Sequence, residues 1–267
     1  MTYRSPAFMV DNLLSAITDV ANDVDEATNT STLTNDERRK FIDGRQGVFG
    51  IYTATGVDAG VRVDTLAIPS PAANRLVIPS GHDFDTETFE VLHDDGLTLP
   101  SPTTASSAAV SGSGVIDRTL SSGNERYWGF QLSTSSARTY TCAGYWLGVY
   151  EQLSTAAAVQ PGWQNGFVSQ VIETEYPSGI AAVELAAPRR QFSLEVRDID
   201  PSGSDYTILD SVLQARGRSF WYWPPDDTDE GPFLVRLASE PTRRQEFKAP
   251  QQGLRYKFAF DFVEDRL

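Results

Sequence analysis

Residues Phe220-Trp221-Tyr222-Trp223 place four aromatic side chains in a row, and Pro224-Pro225-Asp226-Asp227 follow at once. Successive side chains of a strand point to opposite faces, so the run puts two rings on each face. A sheet with one wet face needs only one such row. The run therefore predicts a strand whose two faces both meet protein, either between two layers or at an interface. The prolines cannot donate to a ladder, and they end the strand. Phe220, Trp221, Tyr222 and Trp223, with Asp226 and Asp227 in the acidic loop beyond, form the candidate protein interface.

The chain has 267 residues, enough for one large or two ordinary domains, and 40% of them are hydrophobic, which supports a packed core. It contains no apolar run long enough to span a membrane. Met1-Thr2-Tyr3-Arg4-Ser5-Pro6 lacks the apolar stretch of a signal peptide, so none is expected. Cys142 is the only cysteine, which excludes an intrachain disulfide and a thiolate metal cluster and suits a small core residue. The net charge of -14 argues against a nucleic-acid partner. Acidic residues outnumber basic ones 18 to 10 through Tyr150 and 18 to 12 after it, so neither half is a basic module.

Residues 1–30 read as an N-terminal arm, partly helical, because Leu13, Leu14, Ile17, Val20 and Val24 recur at three- and four-residue spacings between Asp and Asn interruptions. Asp36-Glu37-Arg38-Arg39-Lys40 reads as a charged turn. From there β signals dominate: Gly47–Thr53, Val61–Asp64, Arg75–Pro79, Thr86–Leu92, Arg126–Leu132 and Tyr145–Tyr150 are short alternating or apolar runs with turn residues between them. Residues 100–114, rich in Ser, Ala, Thr and Gly, read as a low-complexity loop. Residues 31–150 thus form one β-sandwich and 151–162, ending in Pro161-Gly162, a linker. Residues 163–267 form a second β domain, a small barrel or sandwich, with strands near Val168–Thr174, Ile180–Leu185, Arg190–Val196, Ser219–Trp223, Phe233–Leu237, Glu246–Lys248 and Leu254–Val263. One helix crosses it at Tyr206–Arg216, carrying Leu209, Val212 and Leu213. The fold class is mainly β.

Catalytic groups are scarce. His82 and His93 are the only histidines, and neither follows a Gly-x-Ser-x-Gly elbow. His82, in Ser80-Gly81-His82-Asp83, reads as a turn histidine bonded to nearby backbone or as part of a ligand-facing loop. His93 reads as a strand-end residue before a hairpin turn. No HExxH, Walker or dinucleotide fingerprint occurs. Glu173 and Glu175 share one strand face, a suggestive but common arrangement for acids. Asp198, Asp200, Ser204 and Asp205 resemble a calcium loop. Counted from Asp198, however, the sixth position is Gly203 and the twelfth is Leu209, where a glutamate would be needed, so helix capping explains the acids better. The Asp226–Glu230 run reads as a solvated loop, or as an acidic knob for a basic partner. No catalytic residue, cofactor or metal ligand is assigned, and the chain is not expected to be an enzyme.

Several segments, taken in order, resemble one group. Asn74-Arg75-Leu76-Val77-Ile78-Pro79-Ser80-Gly81-His82-Asp83 is similar to a strand and turn of the galactose-binding-like jelly rolls in structural proteins of tailed-phage tails. Asp43-Gly44-Arg45, Arg126-Tyr127-Trp128 and Trp146-Leu147-Gly148 resemble further elements of that domain. Arg189–Glu195, the helix after it and the aromatic strand resemble the small β domains of tail-tip proteins. The resemblance implies a jelly-roll sandwich followed by a ring-forming domain, in a distal-tail or minor tail protein. It also implies a virion location after synthesis in the host cytoplasm, a hexameric ring of copies, and contacts with tail tube, hub and fibres. The alternative it implies is a carbohydrate-binding module that contacts a host-surface glycan, with His82, Trp128 and Tyr145 as candidate sugar contacts.

Overall fold

A computed structural model describes residues 5–27, 29–43, 48–69, 72–96, 98–123, 125–133, 137–154, 164–168, 171–175, 181–185, 188–225, 231–247 and 253–265. The first strands are β1 (Ala7–Met9), β2 (Val24–Glu26), β3 (Phe49–Thr53), β4 (Ala59–Asp64), β5 (Ala73–Ile78), β6 (Thr88–Asp94), β7 (Thr103–Ala109), β8 (Ile116–Gly123), β9 (Tyr127–Leu132), β10 (Thr139–Ala143) and β11 (Trp146–Gly148). After them come β12 (Glu151–Gln152), β13 (Gln164–Val168), β14 (Val171–Glu175), β15 (Ala181–Leu185), β16 (Arg189–Ile199), β17 (Phe220–Trp223), β18 (Phe233–Leu237), β19 (Thr242–Phe247) and β20 (Leu254–Glu264). The described helices are α1 (Val20–Asp23), α2 (Asn35–Asp43) and α3 (Ser204–Gln214). The protein is mainly β, with several antiparallel sheets and few helices. Its chain divides into two compact units, one of Asp11–Tyr150 and one of Met1–Val10 with Glu151–Arg266.

The first unit is a sandwich. A five-stranded sheet runs β2-β4-β9-β6-β7, and the opposing layer holds β11-β5-β8 and β10-β3. One core joins the layers: Val61, Val63, Phe89, Val91, Phe130 and Leu132 come from the first, and Tyr52, Leu76, Ile78, Ile116, Tyr140 and Leu147 from the second. Each strand alternates, so its apolar set falls on the core face. The five-stranded sheet has two distinct ends. Ala59, Leu132 and Phe89 align at one, and Asp64, Tyr127 and Asp94 at the other.

The segment read as a loop at 100–114 contains β7, paired along β6 from Thr88↔Ala109 to His93↔Thr103. Its small residues show little apolar contrast, because most of the strand faces water and only Ala105 is buried. The charged stretch Asp36–Lys40 is helical, not a turn. Asp36 and Glu37 sit in the first turn of α2, and Lys40 lies 2.9 Å from Asp36 one turn on.

The described residues of 1–30 do not form an arm. Ala7–Met9 is a strand between β12 and β17, fully buried, and Leu14, Val20 and Val24 belong to the sandwich core. The spacing that suggested one helix serves a 3-10 turn at Leu13–Ala16, a single turn of α-helix and a strand. The expected linker also begins as structure: Glu151 and Gln152 pair with β1, and Leu153 is buried. Residues 155–162 lie outside the described set.

The second unit is built on the sheet β12-β1-β17-β18-β20-β16-β13, with β19 also on β20. Helix α3 packs Ile208, Leu209 and Val212 onto it. The aromatic strand β17 is central, bonded on one side to β1 and on the other to β18. Phe220 and Tyr222 enter the core with Phe8, Phe192 and Phe262; the Phe8 and Tyr222 rings stack at 5.3 Å. Trp221 and Trp223 point to the other face, in register with Met9 and Ala7, and are 2% exposed. The expectation that both faces meet protein therefore holds within the single chain. The proposed interface at Phe220–Trp223 does not, because a doubly paired strand with both faces covered leaves none of its rings open. Asp226 and Asp227 lie outside the described residues, as do the side chains of Glu173 and Glu175 on β14.

Candidate functional site at one end of the sandwich

The three residues expected to touch sugar are all buried. Trp128 is inaccessible, its indole donating to the Glu125 carbonyl at 3.1 Å and packing on His93 with centroids 5.2 Å apart. Tyr145 is equally buried, 4.7 Å from the Phe130 ring. Both project from the sandwich layers into the core, where the large rings fill the space between sheets. Neither can be a ligand platform.

His82 is 2% exposed, yet its position is informative. The turn before it needs Gly81, whose φ of +99° is open to glycine. The ring stacks on Phe84 at 5.2 Å. Nε2 donates to the Gly114 carbonyl at 2.7 Å, and Nδ1 accepts from the Phe84 amide at 3.4 Å. Burial lowers the imidazole pKa, against the opposing pull of the Gly114 carbonyl and of Asp83 and Asp85. The neutral ring ties its own loop to the Ser111–Gly114 loop, which stands 32 positions away in sequence.

The neighbouring acids do the same. Asp83 accepts from the Thr141 amide at 2.7 Å while its carbonyl takes a bond from Arg138. Asp85 accepts from the Gly112 amide at 2.6 Å. Glu87 accepts from the Tyr140 hydroxyl at 2.6 Å, and the Arg138 guanidinium lies 4.4 Å over the Tyr140 ring. Two loops and strand β10 are thus joined where β4 begins and β9 ends. Asp85, Thr86, Ser111, Ser113, Arg138 and Thr139 are exposed there. Thr86 has φ +72° and Asp58, at the same end, φ +63°. Non-glycine residues rarely adopt this conformation, and it clusters at functional loops. The rim offers hydroxyls that donate and accept, a carboxylate that accepts and a guanidinium that donates. Sequence reasoning placed His82 in this loop but missed the rim. The available signal was Ser111-Gly112-Ser113-Gly114, a glycine-spaced serine pair ahead of a strand.

Other candidates serve structure. His93 is buried against Trp128, and Cys142 is fully buried, which pushes its thiol well up. In the loop likened to a calcium site, Asp200 is held down to about 2 by the Ser202 hydroxyl and amide and then by Arg255. That carboxylate is engaged by its own chain. Among the described residues, no three His, Cys, Asp or Glu side chains gather as metal ligands would.

No protein-family model matches the sequence, and no curated protein does. Solved structures are similar over about half of it. Chitosan-binding module 1 of a chitosanase/glucanase from Paenibacillus sp. IK-5 aligns over 52% of this chain and 99% of its own, at 12% identity and TM-score 0.39. A fucolectin from striped bass, Morone saxatilis, aligns over 57% of this chain and 50% of its own, at 14% identity and TM-score 0.40. CBM32-1 from a family 31 glycoside hydrolase of Clostridium perfringens aligns over 48% of this chain and 95% of its own, at 11% identity and TM-score 0.36. At these scores the likeness carries no ligand across, and the description of the sandwich rests on its own strand pairing.

Proposed function

We propose that the protein is a non-catalytic binding protein that recognises a glycan through the end of its N-terminal sandwich organised by His82. The observation that carries this reading is the set of bonds from His82, Asp83 and Asp85 to Gly114, Thr141 and Gly112, which fixes two loops and strand β10 to one another before any ligand arrives. Pre-set loops spare a ligand the cost of ordering them. Hydroxyl, carboxylate and guanidinium groups on that rim match the alternating donors and acceptors of a sugar. The two histidines and the cysteine, the side chains best suited to nucleophilic or proton-transfer work near neutral pH, are all buried. Titrating the full chain with host-surface polysaccharides tests the reading. Saturable binding that Arg138→Gln weakens supports it, and no binding at about millimolar sugar removes it.

A second reading is a structural component of a phage tail tip. Its motivation is the ordered resemblance of Asn74–Asp83, Arg126-Tyr127-Trp128 and Trp146–Gly148 to such proteins. Tail tips imaged by electron microscopy would show this chain, and a tip without it removes the reading. The two readings are compatible, since a tail component can carry a sugar-binding fold.

A further inference from the structure

The loops fixed around His82 do not end at their rim. The Gly81 amide donates to the Ser113 carbonyl at 2.8 Å. Two residues on, the Asp83 amide donates to the Thr141 carbonyl at 3.2 Å, and the Asp83 carboxylate accepts from the Thr141 amide at 2.7 Å. Thr141 lies on β10, which pairs with β3 from Thr139↔Thr53 through Thr141↔Ile51 to Ala143↔Phe49. Four paired backbones thus lead from the Ser111–Gly114 loop onto a two-stranded ribbon. Alternation sorts the side chains of that ribbon. Gly50, Tyr52, Tyr140 and Cys142 are buried on its inner face. On its outer face Ile51, Thr53 and Thr139 are exposed, and Phe49 and Thr141 are half-buried. Phe49 closes the strip against Gly81, where a Cβ would come within 3.0 Å of the ring.

Two properties of this outer face narrow what it can hold. It carries no charged side chain, in a chain of which 22% is charged. The charges beside it are engaged by the protein: Glu37 accepts from the Ile51 amide and from Lys40, and Asp83 from the Thr141 amide. Its polar groups are hydroxyls. Those of Thr53 and Thr139 stand 3.0 Å apart, so one ligand hydroxyl can bridge them. Strand propensity accounts for Thr and Ile on a ribbon, but not for an aliphatic left open beside a loop rim. Apolar groups next to hydroxyls match the C–H faces and hydroxyl edges of a neutral sugar ring. A polyanion is disfavoured by the lack of cations on the strip and by the net charge of -14. Length also counts. At a strand spacing of about 4.8 Å, the row from Ser113 through Asp83 and Thr141 to Ile51 spans about 14 Å, more than one sugar ring covers.

We propose, resting on the glycan reading above, that the site is a track for an uncharged polysaccharide rather than a pocket for a terminal sugar. One part of the bound segment lies on the Ser111–Gly114 rim. The rest crosses β10 and β3, with its hydroxyls on Thr139 and Thr53 and its apolar faces on Ile51 and Phe49.

Calorimetric titration of the full chain tests this, using neutral glucan, galactan, mannan and xylan series from monosaccharide to hexasaccharide, with oligogalacturonates as the charged series. Affinity for one neutral series should climb with length. Ile51 is 46% exposed, so losing the contact with its open half should weaken the hexasaccharide about five- to tenfold. Ile51→Lys, checked for an unchanged melting temperature, should show that loss and leave the monosaccharide as in wild type. Thr53→Val keeps the branched shape, removes one hydroxyl of the pair, and should weaken the same long oligomers. Ser111→Ala/Ser113→Ala should weaken short and long oligomers alike. Equal affinity for monosaccharide and hexasaccharide overturns the proposal, as does a folded Ile51→Lys variant that binds the hexasaccharide like wild type. A preference for oligogalacturonate overturns it too. Each of these results leaves the glycan reading standing. A wild type that binds none of the neutral series also overturns the proposal, and the glycan reading falls with it only if a broad glycan array is blank as well.

Discussion

His82 Nε2 lies 2.7 Å from the Gly114 carbonyl, joining two loops that the sequence separates by 32 positions. Removing the ring leaves that carbonyl and the Phe84 amide without it and opens a cavity beside Phe84. His82→Ala should cost about 1–3 kcal/mol in denaturant unfolding. It should also speed amide exchange through Ser111–Gly114. An unchanged exchange rate in that loop would show that the bond does not shape it.

The same ring predicts a pH dependence. Its folded pKa is depressed, so the unfolded chain takes up this proton first. The stability tied to the neutral ring is then complete above the ordinary imidazole value of about 6.5, and is lost as pH falls from there through the lower folded value. Melting curves should show less loss over this window in His82→Gln than in wild type. Equal losses in the two proteins would assign the acid sensitivity to other groups.

Two glycines of the outer sheet face should differ. A Cβ on Gly60 would sit 2.1 Å from the Phe130 carbonyl oxygen, whereas one on Gly129 would meet the Leu99 Cδ1 at 2.5 Å. Backbone cannot step aside as a leucine methyl can. Gly60→Ala should cost about 3 kcal/mol or more, and Gly129→Ala nearer 1. Calorimetry of the two variants checks the order, and a larger loss at Gly129 would contradict the packing described.

In the second unit, Tyr222 stacks on Phe8 and packs with Phe192 and Phe262. Tyr222→Ala should destabilise that unit by about 3–5 kcal/mol. Chemical unfolding followed by proteolysis of the two units would place the loss. A tolerated substitution would mean that β17 is not the centre of this core.

The strands with strong apolar alternation were legible in the sequence. Val61–Val63 and Arg190–Val196 show their faces directly, because buried apolar residues alternate with half-buried ones. The helix Ser204–Gln214 was legible from Leu209 and Val212 at helical spacing. Strand β7 was not, since its Ser, Ala and Thr residues acquire strand form from the β6 ladder rather than from their own contrast. Strand β1 was hidden because three residues near the N-terminus find their partners at Glu151–Gln152 and Trp221–Trp223, and no local pattern records that pairing. Trp128 and Tyr145 were read as possible sugar contacts because ring count carries no depth, and burial comes only from the sheet facing each ring. His82 was placed in the right loop with the wrong duty: it supports the rim and does not form it.

The most direct measurement is a glycan array probed with wild type and with a folded Ser111→Ala/Ser113→Ala variant. The account predicts that wild type binds a defined set of glycans and that the variant loses them while keeping its melting temperature. Glycan binding that persists unchanged in the variant, or a wild type that binds no glycan, would contradict it.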